Sequence, residues 1–168
     1  MLERVNLNNF DLQRMVVIVF IICLTVFSFF AFNNSREKSR DVKRKADLQV
    51  LLLALDIYHD KHGFYPESKD DVQGWDVSNA IGGKADDFLA VLKEENLIDR
   101  EVRDPLNNDK FFYRYKKYPA GVFGCSKPFY ILQIINFETQ IDGRGMGKCN
   151  SFDWTKQAPY GYTLQGYD

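Results

Sequence analysis

The sequence predicts an α+β fold in which one long N-terminal helix packs on a small antiparallel sheet. The first glycine of the chain is Gly63 and the first proline is Pro66. Because both residue types break helices, their absence from the preceding 62 positions predicts that this stretch is largely one helix. Two aromatic and β-branched runs, at 111–116 and 129–137, predict a pair of antiparallel strands. A sheet this small needs the apolar face of a helix to cover it.

The first part of this helix, at 15–32, has the composition of a membrane span and follows a short segment at 1–14. From Met15 to Phe32 there are eighteen residues without a charge. At about 1.5 Å per residue they nearly cross a hydrocarbon core of about 30 Å. A cleaved signal peptide would have a shorter apolar region ending in small residues, whereas Phe29 and Phe30 stand near the end of this one. We therefore predict a retained, single-pass anchor.

Residues 33–62 continue the helix and change in character along it. From Asn33 to Lys45 they are polar nearly all round, which predicts a solvent-exposed stalk. Beyond it, two stripes of apolar residues at helical spacing predict a broad face that covers the sheet. The first stripe contains Val42, Ala46, Val50, Leu53 and Ile57, and the second contains Leu48, Leu51, Leu52, Leu55 and Tyr58. Gly63, with Pro66 just beyond it, predicts that the helix ends there.

The remaining residues, 63–168, are enough for one compact head with a modest core. A loop at 70–83 carries Trp75, and 84–96 has apolar residues at the spacing of a short second helix. Turn-forming residues concentrate at 104–109. A further short strand is predicted near 162–164, in addition to the two strands above.

Composition and motifs limit the classes of function. The formal net charge of −1 gives no electrostatic reason to expect nucleic acid as a partner. Apolar residues make up 45% of the chain, which argues against global disorder. No nucleophile–base pair of the hydrolase kind, phosphate-binding loop or dinucleotide fingerprint occurs. We therefore predict that the protein is not an enzyme, and no small-molecule substrate is indicated.

The cysteines and the basic residues predict opposite sides of the membrane for the head. Cys23 falls in the apolar run, while Cys125 and Cys149 flank a loop-rich stretch and suit a disulfide in an oxidising compartment. The alternative is two free, partly buried thiols in a cytosolic domain. Counted naively, the positive-inside rule also favours a cytosolic head. Two basic residues near the span precede it, Arg4 and Arg14, and six follow it: Arg36, Lys38, Arg40, Lys43, Arg44 and Lys45.

The end of the predicted helix resembles a known family. The stretch from Lys45 to Tyr58, followed by 60–66 (DKHGFYP), is similar to the helix end of type IV pilins and type II secretion pseudopilins. In that family a pattern of the form AL…Y…D.G.YP ends the long helix and turns into the next loop. The positions that carry it here are Tyr58, Asp60, Gly63, Tyr65 and Pro66.

Weaker matches extend the resemblance over most of the chain. The run 104–106 (DPL) before 113–115 (YRY), and then 129–132 (FYIL), are similar to strand signals of the family, and the run from Met15 is similar to its N-terminal segment. The resemblance implies subunits whose N-terminal helices pack into a filament growing from the cytoplasmic (inner) membrane, with the heads facing outward. It thus implies an extracytoplasmic C-terminal domain and other pilin-like subunits as partners, against the count of basic residues.

The region around Asn9 departs from the processing site of the family. Family precursors have a basic leader ending in Gly, followed by Phe, with a Glu at the fifth mature position. Here Phe10 matches the Phe, but Asn9 stands in place of the Gly and Arg14 in place of the Glu. A leader peptidase that requires Gly is not expected to cut here, and the pairing of the Glu with a neighbour's N-terminal amine is lost. An uncleaved, membrane-resident pilin-like protein fits this pattern.

Two groups of residues have the chemistry of metal ligands. His59 and His62 lie three apart, but without a third ligand we interpret them as exposed residues that suit a helix C-terminus. Glu138, Asp142 and Asp153 lie around a Gly-rich turn and are weak calcium candidates, and some pseudopilins hold calcium in a C-terminal loop. Their spacing is not that of an EF-hand. No other cofactor is predicted.

The sequence leaves two main interpretations of function, with an anchored enzyme as a remote third. The first is a structural subunit or accessory of a pilus or secretion pseudopilus, which acts through helix packing in the membrane. The second is an uncleaved, tethered pilin-like head that binds a ligand or partner and never polymerises. Five aromatic residues could give such a head an adhesive surface, although such residues are more often core: Trp75, Trp154, Tyr160, Tyr162 and Tyr167.

Overall fold

The computed structural model of the chain describes residues 9–69, 72–79, 88–139 and 143–168. It divides into two compact units, Met1–Ser39 and Arg40–Asp168. One helix, α1 (Asn9–His62), supplies every described residue of the first unit and the beginning of the second. An antiparallel sheet follows in the second unit. The predicted α+β class is therefore confirmed.

The C-terminal end of α1 falls where the glycine and proline signals predict it. Gly63 adopts a positive φ of 79°, and its backbone N–H donates to the carbonyl of His59 at 2.7 Å. A residue with a side chain would be strained in this left-handed conformation, which glycine adopts freely. The helix therefore ends at His62 because Gly63 caps it.

Four strands form the main sheet of the head, and two more form a small hairpin. The described strands are β1 (Asp76–Val77), β2 (Tyr113–Tyr118), β3 (Phe129–Ile134), β4 (Lys148–Cys149), β5 (Phe152–Asp153) and β6 (Tyr162–Tyr167). The main sheet has the order β1-β2-β3-β6 with antiparallel neighbours, and β4 pairs with β5. In register, Tyr115 of β2 lies opposite Leu132 of β3, which lies opposite Leu164 of β6.

The predicted strands are confirmed, with shifted bounds. The run at 111–116 gives β2, the run at 129–137 gives β3, and the strand expected near 162–164 is the longer β6. The strand β1 was missed, because its two residues lie within a stretch that has the composition of a loop. Of the helix predicted at 84–96, the described residues contain only α2 (Ala90–Glu94), and 84–87 lie outside them.

The two faces of the main sheet bury two apolar clusters. On one face, Leu51 and Leu55 of α1 pack with Tyr113 and Tyr115 of β2 and with Leu132. On the other face lies a second cluster, which we call the rear cluster. It contains Trp75, Val77, Tyr118, Cys125, Phe129, Ile131, Cys149 and Trp154. The two clusters follow from the alternation of side chains along β2 and β3.

The outer edge of the sheet, at β6, is partly covered by the segment around Gly145. The backbone N–H of Met146 donates to the carbonyl of Thr163 at 2.9 Å, and the N–H of Thr163 donates to the carbonyl of Arg144 at 3.0 Å. Gly145 has a φ of 74°, and a Cβ atom there would lie 1.9 Å from the carbonyl oxygen of Thr163. Only glycine lets the two backbones approach this closely.

Candidate functional site

The N-terminal part of α1 presents an apolar surface on every side. Its most apolar eighteen-residue window has a mean hydropathy of 2.9, and none of that window is buried in the chain. The hydroxyl of Thr25 bonds back to the carbonyl of Ile22 at 2.9 Å, and the guanidinium of Arg36 lies 4.7 Å from the ring centroid of Phe32. Among the described residues this is the one helix long and apolar enough to cross a membrane. Asn9, Phe10 and Arg14 belong to its first turns.

The two apolar stripes of α1 do not merge into one face. The second stripe is buried as predicted, with Leu48, Leu51 and Leu55 at most 3% exposed. The first stripe is left in solvent: Val42 is 67% exposed and Leu53 62%. Its five residues, which we call the exposed stripe, are Val42, Ala46, Val50, Leu53 and Ile57. The prediction of a single broad face covering the sheet is therefore wrong for these five residues.

A network of ion pairs, the Arg44 cluster, holds the beginning of the second unit together. It consists of Arg40, Asp41, Arg44, Asp104 and Glu138. Arg44 is fully buried and donates to Asp104 through Nε at 2.6 Å and Nη2 at 3.0 Å. Its Nη1 donates to Asp41 at 2.6 Å and to Glu138 at 2.8 Å. The Nε of Arg40 adds a bond to Glu138 at 2.7 Å.

Hydrogen bonds hold two carboxylates of the Arg44 cluster, those of Asp41 and Glu138, in their charged form. Hydrogen bonds from Arg40 and then Arg44 lower the pKa of Glu138, although burial opposes them. Burial disfavours the charge of Asp41, but bonds from the backbone of Glu138, from Thr139 and from Arg44 outweigh it and lower the pKa. Burial likewise disfavours the charge of Arg44, yet its carboxylate partners raise the pKa. Glu138, Asp41 and Arg44 are therefore charged at neutral pH.

The Arg44 cluster corrects the prediction of a solvent-exposed stalk at 33–45. Asp41 is 3% exposed and Arg44 is not exposed at all, so the predicted stalk is wrong at these two residues. At these two positions the polar side chains bind buried partners rather than water. The partners Asp104 and Glu138 lie 60 and 94 positions from Arg44, so no local pattern could have found them.

The helix-end motif has a structural role in the head. Tyr65 is buried, and its hydroxyl donates to Asp56 at 3.1 Å; burial and then the charge of Asp56 raise its pKa to about 12. The carbonyl of Pro66 accepts a bond from the buried hydroxyl of Tyr115 at 2.7 Å. Tyr58 is buried in the cluster beneath α1, whereas Asp60 is exposed. Through the bond between Pro66 and Tyr115, the motif therefore attaches the segment after α1 to the sheet.

His59 and His62 contact different partners. The ring of His59 lies against Tyr65, and its Nε2 is 3.8 Å from Asp168. The ring of His62 lies against Tyr58, and its Nε2 is 3.3 Å from Glu95. No cluster of three or more metal-ligating side chains occurs within the described ranges. Both histidines lie in the last turn of α1 as interpreted, but they are half-buried rather than exposed.

Cys125 and Cys149 form the predicted disulfide, with their Cα atoms 5.1 Å apart. Both cysteines are buried in the rear cluster, and the bond ties the loop after β2 to the hairpin of β4 and β5. Cys23 is free and exposed on α1.

The calcium candidates have other partners where they are described. Glu138 belongs to the Arg44 cluster, and Asp153 caps a short 3-10 helix through the backbone N–H of Thr155 at 3.1 Å. Asp142 lies outside the described residues. Calcium binding therefore stays a prediction without support from these contacts.

The aromatic candidates divide between core and surface. Trp75 and Trp154 are buried in the rear cluster, with ring centroids 6.1 Å apart. Tyr162 is half-buried, while Tyr160 is 76% and Tyr167 47% exposed. The tryptophans therefore do not contribute to an adhesive surface.

Comparison with known proteins identifies no relative: no protein-family model, curated protein or solved structure matches the chain. The fold and the apolar helix define the class of the protein, an α+β head on a helix that could cross a membrane.

Proposed function

We propose that this chain is a membrane-anchored structural subunit or accessory of an assembly of the type IV pilus or type II secretion pseudopilus kind. The anchor is the apolar part of α1, and partner subunits contact the same helix further along. The head carries out no catalysis in this proposal. The resemblance at Tyr58 to Pro66 and the α+β layout support it.

The observation that carries the proposal is the exposed stripe. Single exposed apolar residues are ordinary, but five at helical spacing form a continuous apolar surface typical of a protein contact. The head buries the other stripe of the helix and leaves this one in water. A second copy would present the same stripe, so two helices could cover each other's apolar residues.

The head lies outside the cytoplasm in this proposal, with the anchor in the cytoplasmic membrane. The disulfide supports that side, because such bonds persist in oxidising compartments. The basic residues after the span also have a role that is independent of topology. Arg40 and Arg44 bind carboxylates of the Arg44 cluster, and Lys43 binds Asp47 at 2.7 Å. Three of the six basic residues that the positive-inside count sets against this orientation therefore have carboxylate partners within the head.

Cysteine crosslinking in intact membranes tests the contact through the exposed stripe. In a Cys23→Ser background, Leu53→Cys places one free thiol on the stripe and leaves the native disulfide in place. We expect a short bis-maleimide reagent to give covalent dimers of this variant, because neighbouring helices bring the two thiols together. The products are measured by denaturing gel electrophoresis and mass spectrometry.

The matched control is Lys93→Cys in the same background, since Lys93 is also exposed and lies on α2. It should remain monomeric under conditions that crosslink Leu53→Cys. Equal yields from the two variants would show random collisions, and a monomeric Leu53→Cys variant would contradict helix contact and favour the tethered module.

The second candidate function is the uncleaved, tethered binding module, and the residues at the processing site favour it. Asn9 and Arg14 replace the two residues on which processing and filament assembly depend in the family. The two functions differ in whether copies contact each other through the exposed stripe.

Intact mass and N-terminal sequencing of the protein from membranes test the processing site. We expect a chain that keeps Met1, because Asn9 does not offer the Gly that the leader peptidase requires. The variant Asn9→Gly, expressed with such a peptidase, is the control and should begin at Phe10. Wild-type protein that begins at an N-methylated Phe10 would contradict the prediction and favour assembly as a major subunit.

A further inference from the structure

A small cavity lies on the rear face of the main sheet, opposite α1. Its volume is about 340 Å³. The side chains that matter for its chemistry are Trp75, Asn79, Arg114 and Gln157, and Gln73 also lines it. Arg114 is on β2 between Tyr113 and Tyr115, which face α1, so its side chain points to the rear. The cavity is therefore separate from the exposed stripe and independent of the proposed assembly.

Arg114 is a half-buried cation without an acidic partner. Its guanidinium lies 4.1 Å from the ring centroid of Trp75, and no carboxylate in the described part of the chain forms an ion pair with it. Lys116, two residues further along the same face, donates to the carbonyl of Gln73 and likewise has no acidic partner there. Buried arginines are usually paired with an anion. Burial lowers the pKa of Arg114 to about 10, which leaves it charged at neutral pH.

Two glutamine side chains fix the orientation of this guanidinium. Nε of Arg114 donates to Oε1 of Gln133 at 2.7 Å, and Nη2 donates to Oε1 of Gln157 at 3.0 Å. Gln133 is fully buried, and its amide nitrogen donates to the carbonyl of Trp154 and to the hydroxyl of Thr163, both at 2.9 Å. Its oxygen therefore faces Arg114. Within the described residues Nη1 of Arg114 has no acceptor, so this nitrogen is available to donate to a ligand.

Asn79 adds a second unused group to the cavity lining. Its side chain is 1% exposed, and its amide nitrogen donates to the carbonyl of Asn108 at 3.1 Å. Within the described ranges, its oxygen Oδ1 is buried and no group donates to it. A buried acceptor left unpaired is costly, and such groups in a cavity are commonly satisfied by a ligand or water.

We infer that this cavity binds a carboxylate that carries a neighbouring N–H group, such as the C-terminal end of a peptide. Arg114 receives the carboxylate through Nη1, and Lys116 adds positive charge on the same face. Oδ1 of Asn79 accepts the N–H of the ligand. Because the glutamines already hold the guanidinium in place, little ordering is required on binding.

The test is an NMR titration of the isotope-labelled full chain in detergent micelles with N-acetylglycine. The chemical shift of the indole N–H of Trp75 reports binding. We expect saturable shifts with N-acetylglycine, weaker binding of acetate, and no binding of N-acetylglycinamide, which lacks the charge. Acetate that binds as tightly as N-acetylglycine would overturn the role of Asn79 and assign the cavity to free carboxylates. Binding of the amide, or no shift with N-acetylglycine, would overturn the site.

Two variants and a control link the binding to Arg114. Arg114→Gln removes the cation, and Gln157→Glu supplies an internal carboxylate at a position where the side chain is exposed, so the fold is kept. Each should weaken N-acetylglycine binding by about tenfold or more, the usual effect of losing a charged hydrogen bond. Arg100→Gln changes an exposed arginine elsewhere and should bind as the wild type does. Unchanged affinity in the Gln157→Glu variant would overturn the assignment.

Discussion

Replacing Arg44 with methionine is expected to lower the free energy of unfolding of the head by about 3–5 kcal/mol, the usual cost of removing one partner of a buried ion pair. Arg44 is fully buried, and its guanidinium donates to three carboxylates. Methionine fills much of the same volume but leaves Asp104, Asp41 and Glu138 without their central cation. Denaturant unfolding of the full chain in micelles, followed by tryptophan fluorescence, measures the loss.

The control for this prediction is Lys45→Met, one residue further along α1. Lys45 is exposed, and no carboxylate pairs with it in the described residues, so its loss should change stability by at most about 0.5 kcal/mol. Equal stability of the Arg44→Met and Lys45→Met variants would mean that the Arg44 cluster does not stabilise the head. A loss confined to Arg44→Met would establish that the buried ion pairs of Arg44 stabilise the head.

The second large effect is expected from removing the disulfide. The double variant Cys125→Ser/Cys149→Ser opens a loop with a sequence separation of 24, and the chain-entropy model predicts a loss of about 3.5 kcal/mol. Both cysteines are buried among aromatic side chains, so the polar serines add to the cost. Thermal unfolding followed by near-ultraviolet circular dichroism of Trp75 and Trp154 measures the effect.

The Cys23→Ser variant is the control for the loss of a thiol. Cys23 is free and exposed on the apolar part of α1, so its replacement should leave the unfolding of the head unchanged. If the wild type unfolds at the same temperature with and without a reducing agent, the bond contributes nothing to stability, contrary to this prediction.

The parts of the fold that local patterns determine could be predicted from the sequence. The length of α1 follows from the absence of Gly and Pro before Gly63, and β2 and β3 follow from their aromatic and β-branched runs. The disulfide follows from two cysteines that flank loops. Each of these features depends on residues close in the chain, or on the rule that disulfides form in oxidising compartments.

The features that tertiary contacts decide could not be predicted in this way. Both apolar stripes of α1 have the same periodicity, and nothing local indicates which of them the head buries. The choice is tied to the Arg44 cluster, because Asp41 and Arg44 are buried on the same helix as Leu48 and Leu51. The local sequence is the same whether a polar residue binds partners distant in the chain or is exposed to solvent. The lack of a carboxylate partner for Arg114 among the described residues is likewise visible only in the folded chain.

The glycine at the sheet edge affects how copies of the protein can meet. An open edge strand is a template on which a second chain can add its own strand, the usual start of sheet-to-sheet aggregation. At Thr163 the segment of Gly145 already occupies both backbone groups, and the opposite edge, β1, is only two residues long. The backbone of Thr163 is therefore unavailable for pairing with a strand of another chain. A substitution at Gly145 would push this cover away and uncover the strand.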